Sequence, residues 1–330
     1  MAFILLTQAP QLALADQRER FTVLEENDSL PFYSDKHFTQ GLRLDYLGPD
    51  IKPGSKWDEP FDWLSFGPFF GNGGGQHISR KYSLEFGQNI YTPKSHANPP
   101  PADDEPYAGW LYVGANLLQD TGGQHLDHVG IQLGAVGPVA LGGPVQNDYH
   151  SLIGAAHFNG WNRQIQNEPG LVLIYDRHWR VPVIGNGADG VDIVPETGAT
   201  IGNIYDYGEA SAVVRIGHNL KVDYGPNFIS PGISGTDYFD TQYANDTWGY
   251  YFFAGVGGRV VGKNIFLDGN NFRHSSSIGH KTLVGSVLVG LSVYQTAGWR
   301  LDLSASRQSQ SFPGQHGQDV LGAIAVTYSW

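Results

Sequence analysis

The chain has 330 residues, of which 16% are charged, against about 25% in an average soluble domain. Its 44 Gly, 17 Tyr, 17 Phe and 8 Trp suit strands joined by tight turns, and the lack of Cys excludes disulfide frameworks, thiolate zinc sites and thiol nucleophiles. A net charge of −12 argues against a nucleic-acid partner, and no internal run of about 18 apolar residues is present to form a membrane-crossing helix.

Residues 2–15 form an apolar stretch that ends in Ala13-Leu14-Ala15 before polar Asp16-Gln17-Arg18-Glu19, which reads as a secretory signal peptide with the mature domain at 16–330. Beyond it, twelve strands are expected near 20–27, 39–48, 77–91, 108–118, 125–137, 168–181, 190–203, 208–224, 247–262, 280–294, 297–310 and 318–330. In 211–224, Ala212, Val214, Ile216, Leu220, Val222 and Tyr224 share one parity, opposite Ser211, Arg215, Asn219, Lys221 and Asp223. In 282–293, Leu283, Val287, Val289, Leu291 and Val293 oppose Thr282, Ser286 and Ser292. Trp299, Leu301, Leu303 and Ala305 oppose Arg300, Asp302, Ser304 and Ser306, and the last strand sets Ile324, Val326, Tyr328 and Trp330 against Thr327 and Ser329.

A soluble β-sandwich also alternates. Strand length, aromatics near the strand ends and a terminal aromatic favour an all-β fold, a transmembrane antiparallel β-barrel of the outer membrane with its apolar face on lipid. An even strand count puts both ends of the chain in the periplasm and the loops after strands 1, 3, 5, 7, 9 and 11 outside. The segments 49–76 and 225–246 are then long for periplasmic turns.

This parity gathers polar residues on one rim. Asn27 and Asp28 end strand 1, Thr39 opens strand 2, and 91–107 and 138–167 are outer loops. Residues 143–154 read as a short helix, with Pro144 in its first turn and Gly154 as its stop. Val145, Tyr149, Leu152 and Ile153 form one stripe, while Gln146 and His150, four apart, project side by side from another. A helix-borne imidazole, with an ordinary pKa near 6.5, is a candidate general base. Asn-Asp pairs also occur in plain turns, and Asp103-Asp104-Glu105 reads more readily as a solvated run than as a metal site. No HExxH and no GxSxG sequence is present, so zinc-protease and serine-elbow chemistry lack support.

The segments Glu26-Asn27-Asp28, HFTQGLRLDY at 37–46, FGQNIYTP at 86–93, GAVGPVALGGPVQNDYHSLIG at 134–154, WNRQIQNEPG at 161–170 and GNIYDYGEASAVVRIG at 202–217 resemble the outer-membrane lipid A 3′-O-deacylase family. The resemblance implies a twelve-stranded barrel with its site between the wall and an extracellular helix. It also implies an ester hydrolase acting on lipid A of lipopolysaccharide in the outer leaflet, in which His activates water and Ca²⁺ stabilises the oxyanion. The family's essential Asn and Asp fall on Asn27 and Asp28, its Thr on Thr39, and its helix Gln and His on Gln146 and His150. A family Lys falls on Asn98, with Lys94 the nearest substitute for substrate binding. A family Glu falls on Ala156, which leaves Asp28, Asn27 and Glu168 as the candidate cation ligands. A monomer is expected. The competing readings are a passive porin, which does not explain the clustered rim residues, and a secreted sandwich.

Overall fold

The computed structural model describes residues 16–30, 36–66, 69–71, 78–185, 189–229 and 236–330; the apolar segment read as a signal peptide lies outside them. The wall is made of β1 (Arg20–Asn27), β2 (His37–Leu47), β3 (Ile78–Thr92), β4 (Ala108–Thr121), β5 (His125–Val136), β6 (Glu168–Trp179), β7 (Val181–Gly185), β8 (Gly190–Gly202), β9 (Tyr205–His218), β10 (Trp248–Asn264), β11 (Leu283–Gln295), β12 (Trp299–Gln308) and β13 (Asp319–Ser329). Apart from β6 and β7, each strand pairs antiparallel with its sequence neighbours, and β1 also pairs with β13. Closure comes from β8, which pairs with β6 from Val172↔Gly202 to His178↔Glu196 and with β7 from Val181↔Ile193 to Gly185↔Gly190. Strands β6 and β7 are thus one wall strand interrupted at Arg180, and the barrel has twelve strands. Closure leaves no edge for lipid to meet unpaired.

The pleat enforces the alternation read from the sequence. Val214, Ile216, Leu283, Val287, Val289, Trp299, Leu301, Ile324, Val326 and Tyr328 all point outward and are exposed, whereas Arg215, Arg300, Asp302 and Thr327 are buried inside. The lumen is filled rather than open. Arg215 is held by Asp192 (2.6 Å) and Asp223, and Arg300 by Asp302 (2.7 Å) and the same Asp223. Such buried charges persist because each has a partner.

One expected strand is too long. The alternation in 208–224 holds only to His218, because Asn219 adopts a left-handed conformation (φ 64°) and turns the chain inward. Leu220 and Val222 then sit in a single 3-10 turn and pack with Phe228 and Phe239 against the luminal Val213, Tyr251, Phe253 and Tyr294. Asn219 locks the turn by donating to the carbonyls of Asp246 (3.0 Å) and Trp248 (2.8 Å). The long connection after β9 therefore seals the end of the barrel where β1 begins and β13 ends, the lower end. The other long connection folds against the outside wall. Its helix α1 (Glu59–Trp63) buries Phe61 against Tyr82, and Arg80 binds Asp58 and Asp62, both at 2.8 Å.

Candidate active site on the outer wall

At the upper end, the outward faces of three consecutive strands carry polar residues where lower positions carry lipid-facing ones. On β1, Phe21 and Val23 are exposed and Glu25 and Asn27 continue that face. On β3, Leu84 and Phe86 are exposed and Gln88 and Thr92 follow on the same parity. Between them, a bulge at Phe38/Gln40 inserts Thr39, whose hydroxyl meets that of Thr92 at 2.5 Å.

Over this face lies α2 (Gly142–Ile153), packed on β3 and β4. Leu141 at its start and Gly154 at its end both take left-handed conformations (φ 59° and 72°), and Gly154 stops the helix as a Gly at this position commonly does. Close docking depends on missing side chains. A Cβ on Gly109 of β4 would stand 3.1 Å from Ala140 Cβ, and one on Gly143 would stand 2.8 Å from the Trp161 ring. Gln88 adds a polar tether by donating to the Ala140 carbonyl at 2.6 Å.

The apolar stripe of α2 faces out: Tyr149, Leu152 and Ile153 are exposed, Leu152 at 82%. The polar stripe faces the wall instead, with Gln146 and His150 buried (1% and 4% exposed). Their side chains meet at 2.9 Å, Nε2 to Nε2, and His150 Nδ1 lies 2.6 Å from the Ala156 carbonyl. A carbonyl can only accept, so Nδ1 carries the proton and Nε2 is the basic nitrogen, facing the Gln146 amide. Residues 155–158 are folded back to make this possible. Asn147 clamps Phe158 by donating to its carbonyl (3.2 Å) and accepting from its N–H (3.1 Å), and the Phe158 ring lies 5.7 Å from the imidazole.

Asp28 (2% exposed) sits in the β1–β2 turn, where it accepts from the Lys36 N–H at 2.5 Å, and Asn27 Oδ1 accepts from Ser29 N (2.8 Å). Asn27 and Asp28 thus shape the turn. Lys94 and Asn98 are exposed in the loop after β3. That loop touches the loop after β5: Asn98 donates to the Asn159 carbonyl (3.0 Å) and His96 stacks on Phe158 at 4.0 Å. Asp104 accepts from the Lys94 N–H; burial opposes its ionisation, but the His37 imidazole beside it outweighs that and holds the carboxyl below its ordinary range.

Glu168 is placed elsewhere. It opens β6, five strands from β1, or about 24 Å along the wall at the usual strand spacing. Its oxygens accept from Asn203 (3.3 Å), Asn270 (3.1 Å) and the Asn271 N–H (2.9 Å), so it ties together three upper connections. Among the described residues, no cluster of three or more His, Cys, Asp and Glu could hold a metal ion. Sequence reasoning missed Glu25, Gln40, Gln88 and Thr92; their signal was polarity on lipid-facing parity.

The whole chain, residues 1–330, matches the family described as outer membrane protein LpxR. The chain belongs to the LpxR family. It is accordingly an outer-membrane protein, in keeping with its closed wall and apolar exterior. Among solved structures, LpxR from Salmonella typhimurium is similar over 94% of this chain and 99% of its own, with 21% identity and a TM-score of 0.74. That likeness is one of fold. The β domain of the Bordetella autotransporter BrkA, at 9% identity, covers 96% of this chain and 98% of its own with a TM-score of 0.44. A search of curated proteins gives no match.

Proposed function

We propose that this LpxR-family barrel is a lipid A deacylase that hydrolyses an ester-linked 3′ acyl group, with His150 as the base that activates water. The observation that carries the reading is the buried Gln146–His150 pair, held by the Ala156 carbonyl against the outer wall rather than inside the lumen. A site on the face that meets hydrocarbon suits a substrate that is itself a membrane lipid. The porin reading loses support because the lower end of the lumen is filled by the segment after β9.

In this reading His150 Nε2 takes a proton from water while Nδ1 stays bonded to Ala156, so the ring keeps its orientation through the transfer. In the structure the Gln146 amide donates to that same Nε2, so the attacking water replaces this hydrogen bond before it gives up its proton. Position 156 serves through its main chain, and Ala suffices there. Thr39 and Thr92 line the wall below the helix, and Lys94 and Asn98, exposed at the mouth, are placed to meet the anionic headgroup. The upper end faces the cell exterior, where the lipid is.

The family's cation, Ca²⁺, requires oxygen donors. Asn27, Asp28 and Thr39 would supply an amide, a carboxylate and a hydroxyl where β1 turns into β2, and the buried Gln40 Oε1, paired across from Asn27, has no hydrogen-bond partner. The donor set fits. Held by these residues, such an ion would supply positive charge that stabilises an oxyanion. Glu168 serves as a loop tie in this account. The deciding experiment is mass spectrometry of lipid A from cells expressing the protein, with and without chelator. Loss of one acyloxyacyl mass, blocked by chelation, is expected; unchanged lipid A overturns the reading.

A further inference from the structure

Glu25 is out of place on the wall of a membrane barrel. It shares a face with Phe21 and Val23, and its cross-strand neighbours are Leu42 on β2 and Ile324 on β13, the latter exposed to lipid. A carboxylate on a lipid face is unfavourable unless something there uses it, so such a residue marks function by default. Its surroundings are polar only on the side toward the candidate site. Asn27 and Gln40, paired with each other across β1 and β2, come next along the same face. Asn27 Oδ1 caps Ser29, and the buried Gln40 Oε1 has no hydrogen-bond partner. Asp28 follows directly in the turn.

Resting on the function proposed above, we infer that Glu25 is the second carboxylate of the cation site, standing beside Asn27 and Gln40 and bringing the charge that position 156 does not provide. Two carboxylates with amide and hydroxyl oxygens make a hard, oxygen-only donor set, which selects a divalent cation of the Ca²⁺ type over Zn²⁺.

The test uses the full barrel in detergent micelles, with Tb³⁺ luminescence and Ca²⁺ titration calorimetry beside hydrolysis. Glu25→Gln should raise the Ca²⁺ concentration at half saturation at least tenfold in both binding and activity, and Glu25→Asp should restore it to within threefold of wild type. Heat-modifiable gel migration checks that each variant is folded; should Glu25→Gln fail to fold, Gln40→Leu, which removes the uncapped oxygen, must show the same shift. Equal half saturation in wild type and the folded Glu25→Gln or Gln40→Leu variant overturns the inference alone. A wild-type protein that hydrolyses lipid A but binds neither ion overturns the cation site together with Glu25, and one that binds both ions but hydrolyses nothing overturns only the deacylase reading.

Discussion

His150→Ala separates chemistry from folding because of where the imidazole sits. Removing a general base lowers kcat by roughly 10²–10⁴-fold, or about 2.7–5.5 kcal/mol in the barrier. The structural loss is smaller. The ring makes one hydrogen bond to Gln146 and one to the Ala156 carbonyl, worth about 1 kcal/mol each. Ala156 is exposed, so water can replace the lost donor. Helix α2 lies outside the closed ladder of strands, so the unfolding transition of the barrel should stay within about 2 °C of wild type. Gln146→Ala removes one hydrogen bond from the imidazole and no base, and should slow turnover only about tenfold. His157, exposed and with its ring 2.8 Å from the Ser151 hydroxyl, is the control. The assay is release of fatty acid from detergent-dispersed lipid A at saturating Ca²⁺, with thermal unfolding in parallel. A His150→Ala enzyme within threefold of wild type, or a folded but inactive His157→Ala enzyme, would refute the assignment.

Gly109→Val should undock α2, since its Cβ would crowd Ala140 and the Gly142 backbone; activity should fall at least tenfold while gel migration of the barrel stays unchanged. Glu168→Ala should speed protease cleavage in the loop after β10 and leave the Ca²⁺ requirement unaltered, as read by titrated activity. Burial pushes the Glu105 carboxyl up to about 8 from 4.5. The folded state therefore keeps a proton that the unfolded chain releases between those values, and stability falls as pH rises through that window, by up to about 1.4 kcal/mol per pH unit. Urea midpoints in micelles at pH 5 and pH 9 should differ in wild type and much less in Glu105→Gln. Planar-bilayer recordings should show no stable open channel, because Leu220, Val222, Phe228 and Phe239 fill the lower lumen.

The wall was legible because the pleat turns parity into direction, and residues such as Leu301 and Asp302 cannot exchange faces without a register slip. The end of β9 was not legible. Leu220, Val222 and Tyr224 keep the apolar parity of the strand after the chain has left it, since the plug core also needs apolar residues there. Only the left-handed turn at Asn219 separates the two uses, and Asn is tolerated at such a turn without announcing it. The helix was legible from Gly154 and the spacing of its stripes. The direction in which it faces was not, because amphipathic logic buries the apolar stripe and this helix buries the polar one.

That inversion and the misplaced polarity of the strands have one cause. A soluble enzyme hides its catalytic groups from water by surrounding them with core, but here the apolar medium is outside. Helix α2 can leave Leu152 and Ile153 exposed because the site faces the membrane side of the barrel, and it can bury His150 because the wall beneath offers Gln88, Thr92 and Thr39 rather than more leucine. The same rule accounts for Glu25, Asn27 and Gln40, which occupy positions where every lower residue of the same parity is apolar or aromatic. In a barrel of this kind, polar residues on lipid-facing parity at the ends of adjacent strands are local violations that only a function on that face sustains. Three strands violating it side by side, under a helix whose polar stripe points down at them, locate the site more sharply than any single motif does.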